Sequence, residues 1–526
     1  MSRLLIRLFV VVVALSACDR DDAAPLGRVS VALSADVCAD YCLIALRASL
    51  YADGDDVLPI GPALQVGCGE TLTFAALPAG ERVRVVLQAF DITGEQLLDG
   101  SSEPITIIAD GVAEARVKLV ANAPPEVTSY GPDPIVVAAG AAELTLVGRF
   151  GAAFGRAGVT IGGQRYPADA LTWTHSDTDE ITMSLPNGAR GGELVVEQCG
   201  VGSAPIELRV IGATMGEAAV TAGATCIGAN ARAAVAVDDG VLVAWGCADG
   251  SGVLTSFKLD DALCPLDPGA SWSLATVPDA LAVRGDTAWV GGAGLSSVVI
   301  TSPGGTPTTV SREAVHALAA TGNELFAIIG DVQAKRLVRL SEAGPSDVAG
   351  VDAGLTLVAL AASPERVFVA AQTSTGEGRI ISIPSSGVVA AYSLVDGALR
   401  CERPMALALA PDGLNAVIGC VGGKVAVWRT DLQRLSVIAD VGQLESLTSD
   451  TRGDLFFGSD VGGASVAIID IRSNQVVHRF ARTARSIDRP ALLVGLARNR
   501  LLMPTASASL AVLTPFDQAG PCAVSP

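Results

Sequence analysis

One short pattern recurs seven times between residue 215 and the end of the chain, and it constrains the fold more than any other feature. Each copy opens with a run of small apolar residues, turns, and continues into a second apolar run. Ala234-Val235-Ala236-Val237 precedes Val241-Leu242-Val243-Ala244-Trp245-Gly246, Ala280-Leu281-Ala282-Val283 precedes Thr287-Ala288-Trp289-Val290-Gly291, and Ala317-Leu318-Ala319-Ala320 precedes Leu325-Phe326-Ala327-Ile328. Further copies begin at Ala359-Leu360, Ala406-Leu407, Ser446-Leu447 and Gly495-Leu496. With Val235, Leu281, Leu318, Leu360, Leu407, Leu447 and Leu496 taken as equivalent, the units are spaced 46, 37, 42, 47, 40 and 49 residues apart. Apolar runs this short have strand length rather than helix length. A third strand follows in each unit, such as Lys424–Trp428 or Ser465–Ile471, and usually a fourth, such as Arg434–Ala439 or Gln475–Phe480. Four strands repeated at this period are the blades of a β-propeller, so a seven-bladed propeller is expected over 215–526.

The seventh unit runs out of chain after Leu510–Leu513. Its missing outer strand is expected from Glu217–Thr221, just ahead of the first unit. Strands from both ends would then close the ring and remove the unpaired edges of an open sheet. The whole segment resembles YVTN, quinoprotein-like and WD40-like propellers. Its cysteines agree with the register. Cys226 and Cys247 bracket the first hairpin of the first unit, and Cys401 and Cys420 bracket the equivalent hairpin of the fifth, around Pro411-Asp412-Gly413. Two disulfides are expected there, with a third from Cys264 to Cys522 that staples the tail.

The first residues read as a sorting signal. Arg3 and Arg7 precede the apolar run Leu8–Ala17, which is too short for the roughly twenty residues a membrane span needs. Small residues then lead straight into a cysteine. Leu15-Ser16-Ala17-Cys18 resembles the lipobox of bacterial lipoproteins. The resemblance implies cleavage after residue 17, acylation of Cys18, and attachment to a membrane through that lipid. Residues 18–25, with Asp19, Arg20, Asp21 and Asp22, would be a polar tether. Asp19 leaves open whether the chain faces the periplasm from an inner membrane or sits on the outer membrane. Of eleven cysteines, one is then acylated and ten remain, an even number that reads as disulfides in an exported protein. Cys38, Cys42, Cys68 and Cys199 stay unassigned, and the odd three in the first domain hint that Cys199 reaches across to it.

Residues 26–121 alternate apolar and polar positions. Arg28–Leu33, Leu43–Tyr51, Thr71–Ala75, Glu81–Phe90, Pro104–Ile108 and Ala113–Val120 are strand candidates, with turns at Leu77-Pro78-Ala79-Gly80 and Asp110-Gly111. A small β-sandwich is expected. Asp53-Gly54-Asp55-Asp56 lacks the remaining ligands of a calcium loop and reads as a hairpin turn. After the linker Asn122-Ala123-Pro124-Pro125, the segment 122–210 carries Tyr130-Gly131-Pro132, Leu144–Phe150, Val159-Thr160-Ile161-Gly162-Gly163, Ile181–Pro186 and Gly191–Val196. This order resembles the IPT/TIG family of immunoglobulin-like domains and implies a binding or spacer module. The fold class expected is all-β: sandwich, immunoglobulin-like sandwich, propeller.

Loss of Arg3 and Arg7 takes the net charge from −19 to −21. So acidic a chain lacks the clustered cations that bind phosphate backbones, which excludes a nucleic-acid partner. Aromatic residues make up only 4%, leaving few platforms for stacking sugars or bases. The expected role is a non-catalytic binding or scaffold protein of the cell envelope, its partner an unidentified protein or cell-surface ligand. The alternatives are a lactonase- or quinoprotein-like enzyme with an axial site, or an envelope assembly factor. No catalytic, metal or cofactor site is assigned. The inner strands read Ala-Leu-Ala, almost free of ionisable groups, with His316 beside one of them. Asp412 and Glu445 lie near strand ends and suit turn chemistry or the channel equally. His175 falls in a polar loop, and His478 in an outer strand.

Overall fold

The computed structural model describes residues 25–516 except 55–56, 92–93, 95, 122–123, 138–139, 151–156, 176–178, 199, 213–215, 222–225, 239, 261–264, 303, 342–343, 385–387, 397–398, 439, 461–463, 482–493, 497–499 and 506–508. The signal, Cys18 and nearly all of the tether lie outside the described residues, as do Cys199, Cys264 and Cys522. The chain divides into two units, at Val210 and Ile211. Both are built almost entirely of β-strands. The short α-helix Ala35–Asp40 is capped by Ser34, whose Oγ accepts from the Val37 amide at 3.3 Å. Among the described residues no helix is long and apolar enough to cross a membrane.

The first unit is sandwich-like. In its first part Leu26–Ala32 pairs antiparallel with Thr71–Pro78 and parallel with Val112–Glu114. A second sheet runs Leu64–Gly67, Ala45–Ala52, Arg82–Phe90, Gln96–Ser102, Val117–Ala121. Along Arg82–Phe90 the residues Val83, Val85, Leu87 and Ala89 are fully buried and alternate with half-exposed ones, as one covered face requires. Leu64–Gly67 and Gln96–Ser102 are strands the sequence pattern does not reveal. The first is only four residues long, and the second, Gln-Leu-Leu-Asp-Gly-Ser-Ser, breaks alternation with an Asp-Gly pair that reads as a turn. Conversely, the expected strand Pro104–Ile108 shrinks to Ile105–Thr106. Cys38 bonds Cys68, with Cα atoms 5.7 Å apart. Cys42 is also disulfide-bonded.

In the second part the sheets run Glu126–Gly131, Ala142–Arg149, Asp179–Leu185, Leu171–His175 and Gln164–Pro167, Ala157–Ile161, Gly192–Gln198, Val201–Gly202. Phe150, Leu144, Leu146, Ile181 and Leu194 meet in its core. The Arg209 side chain is fully buried and forks onto Asp133, at 2.9 and 2.6 Å. Such a pair is tolerated inside because two charge-assisted hydrogen bonds offset the loss of hydration.

The second unit contains seven four-stranded antiparallel sheets in chain order. Their inner strands are Asn230–Val237, Pro278–Arg284, Val315–Ala320, Thr356–Ala362, Pro404–Leu409, Leu444–Ser449 and Val494–Gly495. Each lies beside the next, and the last returns to the first. The result is a closed, propeller-like ring. Its seventh sheet takes Gly216–Thr221 as outer strand, antiparallel to Ser509–Thr514 from Gly216 opposite Thr514 to Thr221 opposite Ser509. Strands from both ends of the unit therefore complete one sheet.

Two details of the sequence register change. In the first sheet of the ring Ala234, not Val235, takes the place of Leu281: both stand three residues before the last pair of the hairpin. In the seventh, Leu496 closes the turn by bonding the Arg500 carbonyl, so it matches Ala410 and Asp450 rather than Leu407 and Leu447. Cys226 bonds Cys247, Cα atoms 5.8 Å apart, and Cys401 bonds Cys420, at 5.4 Å. Loops of this size contribute about 3 kcal/mol each by the chain-entropy argument.

Candidate functional site

In six of the seven inner strands the pairing with the second strand slips by one residue at the same place. The residue left without a cross-strand partner is Arg232, Asp279, His316, Val358, Met405 and Glu445 in turn. Each stands two residues ahead of the repeated leucine, or of Ala234 in the first sheet. A bulge adds local twist and re-aims a side chain, and bulges gather where proteins bind or react. All six lie at the start of an inner strand. They therefore share one level, at one end of the ring.

Four of these six side chains are ionisable. The inner strands are thus not as free of such groups as their Ala-Leu-Ala runs imply. Arg232 is half-buried, and its Nε has no hydrogen-bond partner among the described residues. It packs over Gly246, where a Cβ would stand 2.9 Å from Val277 Cγ1 and 3.4 Å from Cγ and Nε of Arg232. Glu445 is half-buried, and its Oε2 is buried and likewise without a hydrogen bond. Unmet polar atoms of this kind are costly unless a ligand or water completes them. His316 Nε2 lies 2.8 Å from the Gly330 carbonyl oxygen. A carbonyl only accepts, so Nε2 carries the proton and Nδ1 is left as an acceptor in the neutral ring. Asp279 is exposed. Met405 Sδ sits 3.2 Å from Gln443 Nε2.

This constellation can hydrogen-bond and ion-pair a polar ligand. Its two carboxylates, Asp279 and Glu445, belong to the second and sixth sheets, three sheets apart the shorter way round. Among the described residues no group of three or more His, Cys, Asp or Glu is placed to hold a metal.

The other sequence candidates fall elsewhere. Asp412 Oδ1 accepts from the Leu414 amide at 2.8 Å, which is turn chemistry, at the opposite end of the ring. His478 lies in the outer strand Gln475–Ala481, edge-on to Phe480 at 4.5 Å, and burial lowers its pKa. His175 ends the strand Leu171–His175, opposite Asp179 in the first unit. Asp53 pairs with Arg82 at 3.0 Å beside Gly54, whose φ is +88°, as a hairpin turn requires, while Asp55 and Asp56 lie outside the described residues. The bulged ring was hidden in the sequence because no single position marks it; the signal was the residue two before each leucine, three of them ionisable (Asp279, His316 and Glu445), while taking Val235 for Ala234 concealed Arg232.

No protein-family model matches the chain, and no curated protein matches it. Among solved structures it is similar to U3-55K, with 14% identity and a TM-score of 0.43 over 56% of this chain and 98% of that one. It is also similar to the WD40 β-propeller domain of Doa1 (13% identity, TM-score 0.43, 56% and 97% covered) and to the WD40 repeats of RRP9 (13%, 0.42, 56% and 97%).

Proposed function

We propose that this chain is an exported, lipid-anchored binding protein that presents the bulged end of its ring to a polar ligand or partner and does no chemistry of its own. The observation that carries the reading is the pair of unmet buried polar atoms, Arg232 Nε and Glu445 Oε2, at one level of the inner strands. Opposite charges on a shared rim suit a partner with both donors and acceptors, on a protein or a cell-surface polymer. The leader and Leu15-Ser16-Ala17-Cys18 support an anchor at Cys18, which would put the protein in the cell envelope, on the periplasmic face of a membrane or on the outer-membrane surface. In this reading 122–210 is an IPT/TIG-like spacer, and the acidic surface excludes nucleic acid as a partner.

The test is cross-linking mass spectrometry in intact cells, comparing wild type, Cys18→Ala, and the double variant Arg232→Ala with Glu445→Gln. A partner captured by wild type and lost from both variants is the expected result. A partner that persists in the double variant moves the site away from the bulges. A Cys18→Ala protein that still enters the detergent phase rejects the lipid anchor.

A further inference from the structure

At the other end of the ring, the turn joining the third and fourth strands of the fifth sheet stands beside the same turn of the sixth. Antiparallel order puts these turns opposite the bulges: an inner strand starts at the bulged end, and the third strand runs in the same direction. Between them lies a cavity of about 250 Å³, lined by Arg429, Arg434 and Ser436 of the fifth sheet and Arg472 and Asn474 of the sixth. Three arginines around one small cavity run against the balance of a chain with 36 basic and 55 acidic residues.

Arg429 and Arg434 are direct cross-strand partners, and like charges placed opposite each other destabilise a strand pair. Neither has a carboxylate to relieve it among the described residues. Arg429 donates to the Ile471 carbonyl at 2.7 Å, and Arg434 makes no hydrogen bond or ion pair there. Arg472 is held by Asp454 at 2.9 Å and Asp470 at 3.3 Å. Ser436 donates to Asn474 Oδ1 at 2.8 Å, which leaves both N–H groups of the Asn474 amide as donors. Every lining side chain has a donor, and none is acidic.

We propose that this cavity binds a small oxyanion, a phosphate or a carboxylate, which bridges Arg429 and Arg434 and accepts from Asn474. Guanidinium groups match both anions in geometry. The volume lies below the roughly 300–1,000 Å³ of pockets for drug-sized ligands, so it takes one charged group and few atoms more.

The test uses the full chain at constant ionic strength in chloride, titrated with inorganic phosphate and, separately, with glucuronate. Calorimetry and the unfolding midpoint are the readouts. Phosphate alone, glucuronate alone, or both should bind at least about tenfold more tightly than chloride and raise the midpoint, the pattern naming the source of the anion. Arg434→Gln, at an exposed position, should weaken binding about tenfold or more, yet melt no lower than wild type without the anion because the like-charge pair is gone. Arg429→Gln should weaken binding comparably. Binding no better than chloride, or equal binding by wild type and Arg434→Gln, overturns the proposal.

Discussion

The strands Arg82–Phe90 of the first unit and Ser465–Asp470 of the second are both rich in apolar residues, yet they are buried differently. In the first, only alternate residues are covered. In the second, all six are buried, because the middle strand of a ring sheet is packed between two neighbouring sheets. The contrast reaches the register. A sandwich strand shifted by one residue would turn its apolar face to water, so its polarity pins its pairing. A strand covered on both faces pays no such penalty in pattern. The register misread at Val235 and Leu496 has a different cause: both lie near the turns of inner hairpins, the first only partly buried, where bulge position and turn length set the pairing. The two units also treat their edges differently. The five-strand path of the first unit ends on the short strand Leu64–Gly67, whereas the last sheet of the ring is completed by Gly216–Thr221 from far back in the chain.

The largest effect should come from breaking that closure. Replacing Gly216–Thr221 by a Gly-Ser segment of equal length strips Ser509–Thr514 of its partner and exposes an edge. A markedly lower unfolding midpoint and aggregation are expected in calorimetry and light scattering, and an unchanged midpoint would mean that the ring does not depend on the strand. A paired scan comes next in size. Ile468→Ala and Ile469→Ala, adjacent and both fully buried, should each cost about 2–5 kcal/mol. In the sandwich, Leu46→Ala should cost as much, while Arg47→Ala, its exposed neighbour, stays within about 0.5 kcal/mol. Denaturant titrations that split the two isoleucines as widely as Leu46 and Arg47 would end the two-faced account.

The smallest effect belongs to His478, in an outer strand whose burial lies between these extremes. Burial holds its imidazole below the ordinary value of 6.5. The unfolded chain therefore binds more protons than the folded one between the two pKa values. Stability is fully present above about pH 7 and is lost as pH falls through 6.5 towards the folded pKa. His478→Gln should flatten part of the decline between pH 7.5 and pH 5.5, and parallel curves for both proteins would remove His478 from the account.

Much of the fold was legible in the residues. The repeated apolar pairs of runs counted the sheets, and Glu217–Thr221, expected as the outer strand of the seventh, is found there within Gly216–Thr221. The cysteines flanking two equivalent hairpins sit where their disulfides are found, because a hairpin brings its flanks together whatever lies around it. Short or mixed strands such as Leu64–Gly67 and Gln96–Ser102 were not legible, since their pairing comes from neighbours already in place rather than from their own pattern.

What the sequence by itself determined is therefore local and repetitive: strand lengths, hairpins, the number of sheets and which segment completes the last. Only the tertiary structure decided what meets what. Arg232 and Glu445 share a level because a bulge at the same point of each inner strand aligns residues far apart in the chain. Arg429 and Arg472 line one cavity because adjacent sheets stack their turns side by side. Pairing within a hairpin is set by neighbouring residues, but packing between sheets is set by the closure of the whole ring, and no window of sequence contains it.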